Sequence, residues 1–459
     1  MTVVLVRQRF ARTLARRLPA AIGAVVFSAG PGAALADAYR VPYQGAAAAG
    51  QGEAFSAQAD DPSAIYYNPA GLTQLKGWQV YTGTNLVGGT VAFENARGQQ
   101  IEGDLGGSVA VPPPSNLYLT ANLKDLGIDA FGPLSVGVGL TGTYGLIVRY
   151  PKNGPFSSVV TSAKLPLLTI KPTIAYRVHD WVSFGLGLDI YTFASFLGEG
   201  HYESKRALPG IGGDEVNGNG TGVGYNASLM VTPLRTAAGK PQFNIGFVYR
   251  GQTTLPLSGQ YRLNGVQVAN AKTELPLPQV VTGAVAYWPV RDAEHEWKLE
   301  YDMDFVGWDS SRSFDVHLSN GGTASTPQHW RSIFTASAGT EFRWLAPDFL
   351  PGWEVALRTG YQRSNTPVPE YTFTPTVADA DWNIFAVGVG LLCNGNGSLF
   401  GLAGCGRGEG GGPGAVGIDL AFQAAFFEPR TIAVNRQPSV IGRYDTTLYI
   451  GSVNFRVAF

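Results

Sequence analysis

The chain ends Tyr449-Ile450-Gly451-Ser452-Val453-Asn454-Phe455-Arg456-Val457-Ala458-Phe459. Its odd positions are mostly apolar and its even positions mostly small or polar, and a Phe closes it. Alternation with a period of two puts each set on one face of a strand. A strand in contact with lipid turns its apolar set outward and its polar set toward the lumen. The segment therefore reads as the closing strand of a membrane barrel.

The same period recurs upstream. In Val182 to Ile190 the even positions are apolar, and in Glu296 to Phe305 the odd positions are large and apolar. The even positions of the second run carry Glu296, Lys298, Glu300, Asp302 and Asp304, which read as lumen residues that bond a plug or line the lumen. Fourteen such segments are expected, at 77–93, 115–124, 132–147, 166–179, 182–197, 220–233, 242–257, 275–289, 295–308, 328–344, 352–364, 381–392, 414–427 and 442–459. Many are longer than the usual strand of a soluble sheet. Short links alternate with long ones, as periplasmic turns alternate with external loops in such barrels. Residues 393–413 break this rule, being long and Gly-rich where parity expects a short turn. Trp78, Tyr81, Trp181, Tyr191, Trp288, Trp297, Trp308, Trp330, Trp344, Trp353 and Trp382 lie near strand ends and are expected to form interfacial girdles.

Composition agrees. Charged residues make up 15% of the 459 and the formal net charge is −1, whereas a soluble domain carries about 25% charged residues. Nothing in this balance points to nucleic acid. Arg7, Arg9, Arg12, Arg16 and Arg17 precede a short apolar run, Ala20 to Phe27, and then Ala34-Leu35-Ala36. This is the layout of a secretory leader cleaved before Asp37, so residues 1–36 are read as a signal peptide. No apolar run of 18 residues follows it; helical spans need about 20.

Residues 37–76 do not alternate and are rich in small side chains. Asp60-Asp61-Pro62-Ser63-Ala64 reads as a helix start, with Asp61 as cap and Pro62 at the first helical position. Asn68-Pro69-Ala70-Gly71 reads as a turn opening another short helix. The expectation is an all-β, 14-stranded antiparallel transmembrane barrel over 77–459, with an N-terminal helical hatch of residues 37–76 in its lumen.

The stretch from Gly50 through Phe55 and Asp60-Asp61-Pro62 to Asn68-Pro69-Ala70-Gly71 resembles the hatch signature of the long-chain fatty acid transporter family, which also includes uptake channels for toluene and other aromatic hydrocarbons. Two later regions are similar to it. One runs from Asn244 through Phe247-Val248-Tyr249-Arg250 to Leu257 and Gly259. The other is Gly360-Tyr361 to Thr366-Pro367-Val368-Pro369, followed by Pro375, Asp379 and Asp381. The family usually has a basic residue soon after the last acidic one; here Trp382 and Asn383 follow.

The resemblance implies a monomeric outer-membrane channel of a Gram-negative bacterium. It implies passive uptake of hydrophobic compounds, foremost long-chain fatty acids. Substrate would bind in an external groove and then a lumen pocket, and leave sideways at a kink in the third strand. Partners would be the small hydrophobic substrate and outer-membrane lipid and lipopolysaccharide. By position, Tyr39, Val41 and Tyr43 are pocket candidates. Phe55, Asn68, Pro69 and Ala70 of the hatch join the substrate-binding or gating set. Gly137 and Gly139, with Gly142 and Gly145, either permit the kink or leave room for the hatch. Leu146, Phe156 and Val160, with Val109 to Pro114, Leu117 and Val159, supply an apolar external groove. Arg149, Lys152, Lys164 and Lys171 are the cations available to a carboxylate.

Cys393 and Cys405 share the anomalous Gly-rich link, and a disulfide between them is expected in an exported protein. The histidines are scattered, no nucleophile–base pattern stands out, and neither enzyme activity, metal nor cofactor is expected. The alternatives are an aromatic or alkane hydrocarbon importer on the same fold, a polar-solute porin, and a structural or adhesive barrel.

Overall fold

The computed structural model describes residues 37–104, 114–195, 200–394, 397–399, 403–405 and 413–459. The leader and the groove residues 109–113 lie outside these.

Fourteen antiparallel strands close into one barrel. They are β1 (Trp78–Glu94), β2 (Ser115–Asn122), β3 (Leu134–Thr141, resuming at Gly145–Arg149), β4 (Ser162–His179), β5 (Val182–Phe193), β6 (Gly222–Arg235) and β7 (Pro241–Arg250). The circuit continues with β8 (Val280–Arg291), β9 (His295–Val306), β10 (Ile333–Trp344), β11 (Trp353–Ser364), β12 (Trp382–Asn394), β13 (Ala415–Phe427) and β14 (Gly442–Ala458). Closure is made by β14 on β1, in register from Gln79 opposite Ala458 to Glu94 opposite Arg443. The terminal Phe459 stacks on Trp78 with ring centroids 3.9 Å apart, and its amide donates to the Trp78 carbonyl. This pairing keeps β1 and β14 from presenting unpaired backbone groups to lipid.

The two-residue period sorts the faces. Leu299, Tyr301 and Met303 are exposed outward, while Glu296, Lys298, Glu300 and Asp302 are buried inside. Among the described residues no helix is long and apolar enough to cross a membrane, which says nothing of spanning by strands.

Two expected strands run too far. Residues 242–257 and 275–289 each divide, at Gly251-Gln252 and Pro278-Gln279. The outer pieces pair with each other as an external hairpin, Thr253–Leu263 with Val266–Leu277. Long connections at Tyr202–Leu208 with Gly212–Asn219, and at Ser313–Leu318 with Thr323–Pro327, are hairpins too. Alternation continues through them because it reports which face a residue takes, not where the bilayer ends.

The girdle expectation is corrected for most of its members. Trp78 and Trp181 are exposed on the outside, but Tyr81, Tyr191, Trp288, Trp308, Trp330, Trp353 and Trp382 are buried. Strand parity decides the face: Tyr287 is exposed, so its neighbour Trp288 turns inward, where the Arg291 guanidinium lies 4.3 Å from its ring.

The hatch fills the lumen at the end where Trp78 and Phe459 meet. It contains short helices at Ala46–Ala49 and Ala64–Tyr67 and a 3-10 helix at Pro69–Gln74. The second helix starts at Ala64, two residues later than expected, because Asp61 accepts from the Ser63 amide and hydroxyl in a tight turn and does not cap the helix. Barrel glycines let it approach. A Cβ on Gly388 would sit 2.9 Å from the Gly50 Cα, and one on Gly246 2.5 Å from the Ser56 carbonyl oxygen. Cys393, near the end of β12, forms a disulfide with Cys405 (Cα–Cα 5.8 Å), and Trp353 packs on it.

Candidate binding cavity

An apolar cavity of about 630 Å³ lies above the hatch, beneath the external segment Pro375–Asp379. One wall is the inner face of β1, at Val87 and Val91; another is Leu165 and Leu167 on β4. The floor and side are Val41 and Tyr43 of the N-terminal segment. Its volume falls in the ~300–1,000 Å³ range of small-molecule sites.

The wall is interrupted here. β3 pairs with β2 only as far as Leu140, then loses its ladder at Gly142–Tyr144. Beyond this break Gly145–Arg149 pairs with β4, and among the described residues the one strand residue paired with its other edge is Asp104, opposite Arg149. The N-terminal segment bonds into the break. The Val41 amide donates to the Thr143 carbonyl, the Gly145 amide to the Tyr39 carbonyl, and the Gln44 side chain to the Gly142 carbonyl. Strand parity then reveals the shape of the cavity. On β4, Leu165 and Leu167 face inward, whereas Lys164, Pro166 and Leu168 face outward, yet all five line it. The cavity therefore reaches both faces of the wall at this seam.

The glycines separate by position. A Cβ on Gly137 or Gly139 would come within 2.8 or 3.0 Å of Ile65, so these two leave room for the hatch. At the break itself, a Cβ on Gly142 or Gly145 would meet nothing nearer than 3.7 or 3.5 Å.

The first turn of the N-terminal segment is fastened by charge. Arg40 bonds Asp37 and, at 2.6 Å, Asp304 of β9. The Asp37 carboxylate also accepts from the Trp308 indole at 3.0 Å. The Ala38 amide donates to Asp379 of the external loop at 3.2 Å. Asp379 also accepts from Thr366, and burial pushes its carboxyl up to about 7 against the pull of Thr366 and of Arg430. Arg430 donates to the Asp379 carbonyl at 2.7 Å, so a base from β14's approach supplies the charge missing after Asp381. Arg363 of β11 stands 3.7 Å from Asp381.

Of the residues singled out from sequence, Val41, Tyr43 and Leu146 line the cavity. Tyr39 does not: its hydroxyl donates to the Pro276 carbonyl, and its ring packs against Trp308, Trp330 and Tyr144. Phe55 is buried within the hatch against Tyr67. Asn68 caps the 3-10 helix by accepting from the Ala70 amide and donates to the Ser56 carbonyl at 2.7 Å, while Pro69 and Ala70 press on Gly185 of β5. These three pin the hatch to the wall, away from the cavity. Phe156 and Val160 are fully buried rather than open to an external groove; Phe156 packs against Phe93, Tyr150 and Tyr444 and helps close the external end. Pro114 lines the cavity. Of the four cations proposed for a carboxylate, Lys164 alone lines it; Lys171 is buried in a pair with Asp189.

The main omission was Arg40, whose role depends on Asp304, distant in sequence. Leu165 and Leu167 carried a readable signal: with Leu168 and Ile170 they make both faces of β4 apolar, as a strand between lipid and an apolar chamber requires. Among the described residues no three His, Cys, Asp or Glu side chains are grouped to hold a metal.

Residues 27–399 match the model of the family described as "Outer membrane protein transport protein (OMPP1/FadL/TodX)". The chain belongs to this family. It is 22% identical over 364 residues to the long-chain fatty acid transport protein of Salmonella typhi, covering 72% of this chain and 79% of that one. Against the protein of the same description from Escherichia coli K12, identity is 22% over 377 residues with the same coverage. Among solved structures, a Pseudomonas aeruginosa FadL homologue superposes with a TM-score of 0.71 at 16% identity, over 92% of this chain and all of that one. The Pseudomonas putida toluene transporter TodX gives 0.59 at 15% identity, over 90% and 97%. As a member of the OMPP1/FadL/TodX family, the chain is an outer-membrane transporter of hydrophobic substrates. The low identities to solved structures speak for the fold, not for the cargo.

Proposed function

We propose that this channel carries long-chain fatty acids inward by diffusion and releases them sideways through the seam between β1 and the second half of β3. The reading is carried by one observation: a single apolar cavity extends from beneath the external cap, past Arg40, to the outward face of β4 at Lys164. Each buried CH₂ contributes about 0.8 kcal/mol, so an alkyl chain binds here without polar recognition. Arg40 inside and Lys164 at the wall offer charge-assisted bonds to a carboxylate. Arg40 already holds two carboxylates, so its grip on a third is weak, which suits a passive channel that must let its cargo go. The chamber holds more than one aromatic ring needs.

A second reading, transport of uncharged hydrocarbons, is favoured by Asp37 and Asp379, which also line the cavity and repel a carboxylate. The deciding experiment measures binding of oleate, oleyl alcohol and toluene to the purified barrel and to Lys164→Gln. The fatty-acid reading expects oleate to bind about tenfold tighter than the alcohol, with the difference shrinking in the variant. Equal affinities for acid and alcohol, unchanged in the variant, would move the assignment to hydrocarbons. For release, Ile147→Trp, on the second half of β3 where it lines the cavity, fills the seam; uptake into liposomes should fall by more than equilibrium binding does.

A further inference from the structure

We propose that leader removal after Ala36 installs a functional group: the new α-ammonium of Asp37 pairs with Asp379 and locks the N-terminal segment in place as a wall of the cavity. Asp37 is buried, lines the cavity, and sits one residue before the amide that Asp379 already holds. An amino terminus generated there is set among these groups, beside the cavity, and gains from a charged partner. The charged groups facing it are Asp37, Arg40, Asp304, Asp379 and Arg430. Three are acids and two are bases, so one positive charge is missing and the α-ammonium supplies it. Asp379 in particular is short of cationic support. Its ring of partners is a hydroxyl, one amide and Arg430, which bonds the Asp379 backbone carbonyl.

Backbone geometry agrees. Ala38 has φ +51°, a left-handed conformation that costs a non-glycine residue about 1 kcal/mol or more. The turn is held by the Arg40 amide donating to the Asp37 carbonyl and by the grip of Asp379 on the Ala38 amide. The first residues are thereby directed up to the external loop, and Val41 and Tyr43 are set against the seam. The inference is independent of which hydrophobe is carried.

The test uses the mature barrel purified from outer membranes, with its first residue checked by N-terminal sequencing. Labelling of the α-amine by a small amine-reactive reagent is followed against pH, in the wild type and in Asp379→Asn. A free α-amine titrates at about 7.7–8.0. Pairing with Asp379 is expected to raise the midpoint by at least one pH unit, so labelling at pH 7.5 is about tenfold slower than in the variant. Complete resistance in the wild type with labelling in the variant also supports the pairing. An ordinary midpoint in both forms, equal resistance in both, or a first residue other than Asp37 overturns it. A second variant places two glycines between Ala36 and Asp37, moving the amine about 7 Å away. Oleate or toluene binding, whichever the wild type shows, is expected to weaken at least fivefold. Unchanged binding would mean that the terminus does not lock the wall.

Discussion

Substituting Asp302 by Ala tests how the hatch is held. The Asp302 carboxylate is buried on β9, and one oxygen accepts from the Phe55 and Ser56 amides at 3.1 and 2.9 Å. Next along the strand, Glu300 accepts from Ala57 and Gln58 at 2.6 and 3.1 Å. Four consecutive amides of an irregular segment are thus satisfied by two side chains of one strand. Asp302→Ala leaves two buried donors without acceptors, at about 1–3 kcal/mol each. Relief from burying an anion offsets part of this, because the other Asp302 oxygen has no partner among the described residues. A net loss of about 2–4 kcal/mol remains, which is roughly a 30- to 1,000-fold change in the local opening equilibrium. Hydrogen exchange on the barrel in detergent should show that acceleration over residues 54–59, with the strands unaffected. Asp302→Asn keeps an acceptor oxygen in place and should lose much less. If Asp302→Ala leaves exchange in 54–59 within about threefold of the wild type, a change of about 0.6 kcal/mol against the about 2–4 kcal/mol expected, the hatch is not clamped by these carboxylates.

Gly360→Ala puts a Cβ into the backbone of Gln51 and Gly52, and the hatch loop must retreat; overpacking of about 1–3 kcal/mol or more should raise single-channel conductance while the barrel still folds. Cys393→Ser should free the segment closed by the disulfide, worth about 2–3 kcal/mol for a loop of that size, so limited proteolysis would cut between 393 and 413 while the fourteen strands stay intact. Asp381 in the external loop is pushed up to about 6 by burial and by Glu428, against Arg363 and Arg430. A raised acid costs stability once ionised, so loop 365–381 should become more protected as pH falls from 7 to 5, and Asp381→Asn should weaken that trend, leaving the share that Asp379 contributes; a loop that loosens over this range in the wild type would show that the sign is wrong.

The barrel was legible because its physics is local. A run such as 295–306 declares its two faces residue by residue, and the fourteen strand positions follow from repeating that reading. What parity cannot give is extent and surroundings. The strand expected over 242–257 carried its alternation past Gly251 into an external hairpin, since water and lipid tolerate the same pattern on one face. Trp288 and Trp308 lie near strand ends, as girdle residues do, but an aromatic side chain suits an interface and a core equally, and both are buried. The hatch residues Asn68, Pro69 and Ala70 stood out as a motif; their work is to satisfy backbone groups and fit beside Gly185. The cavity was legible only in part, through Val41, Tyr43, Leu146 and Lys164. Arg40 and Asp379 acquire their roles from partners hundreds of residues away, and no spacing rule encodes that.

The polar-solute porin fails on energetic grounds. An aqueous channel through this barrel requires the hatch to leave the lumen. Its four amide–carboxylate bonds to Glu300 and Asp302, at about 1.5–3 kcal/mol each, hold it by about 6–12 kcal/mol. The bonds from Gln423 to the Ala49 carbonyl and from the Ala46 amide to Asn454 come on top of that, from the opposite wall. A hatch held by even the lower figure is out of place less than about once in ten thousand. A hydrophobic solute faces no such cost, because its chamber lies above the hatch and is walled by the N-terminal segment, which meets β3 where the sheet is already interrupted. Loosening the Val41 stretch of that segment requires breaking the bonds at Gly142, Thr143 and Gly145; the Arg40–Asp304 pair still holds the first turn, and the carboxylate clamp on the hatch stays untouched. The fold therefore places a carboxylate clamp across the route that water-soluble molecules need, and neutral backbone bonds at the break in the wall.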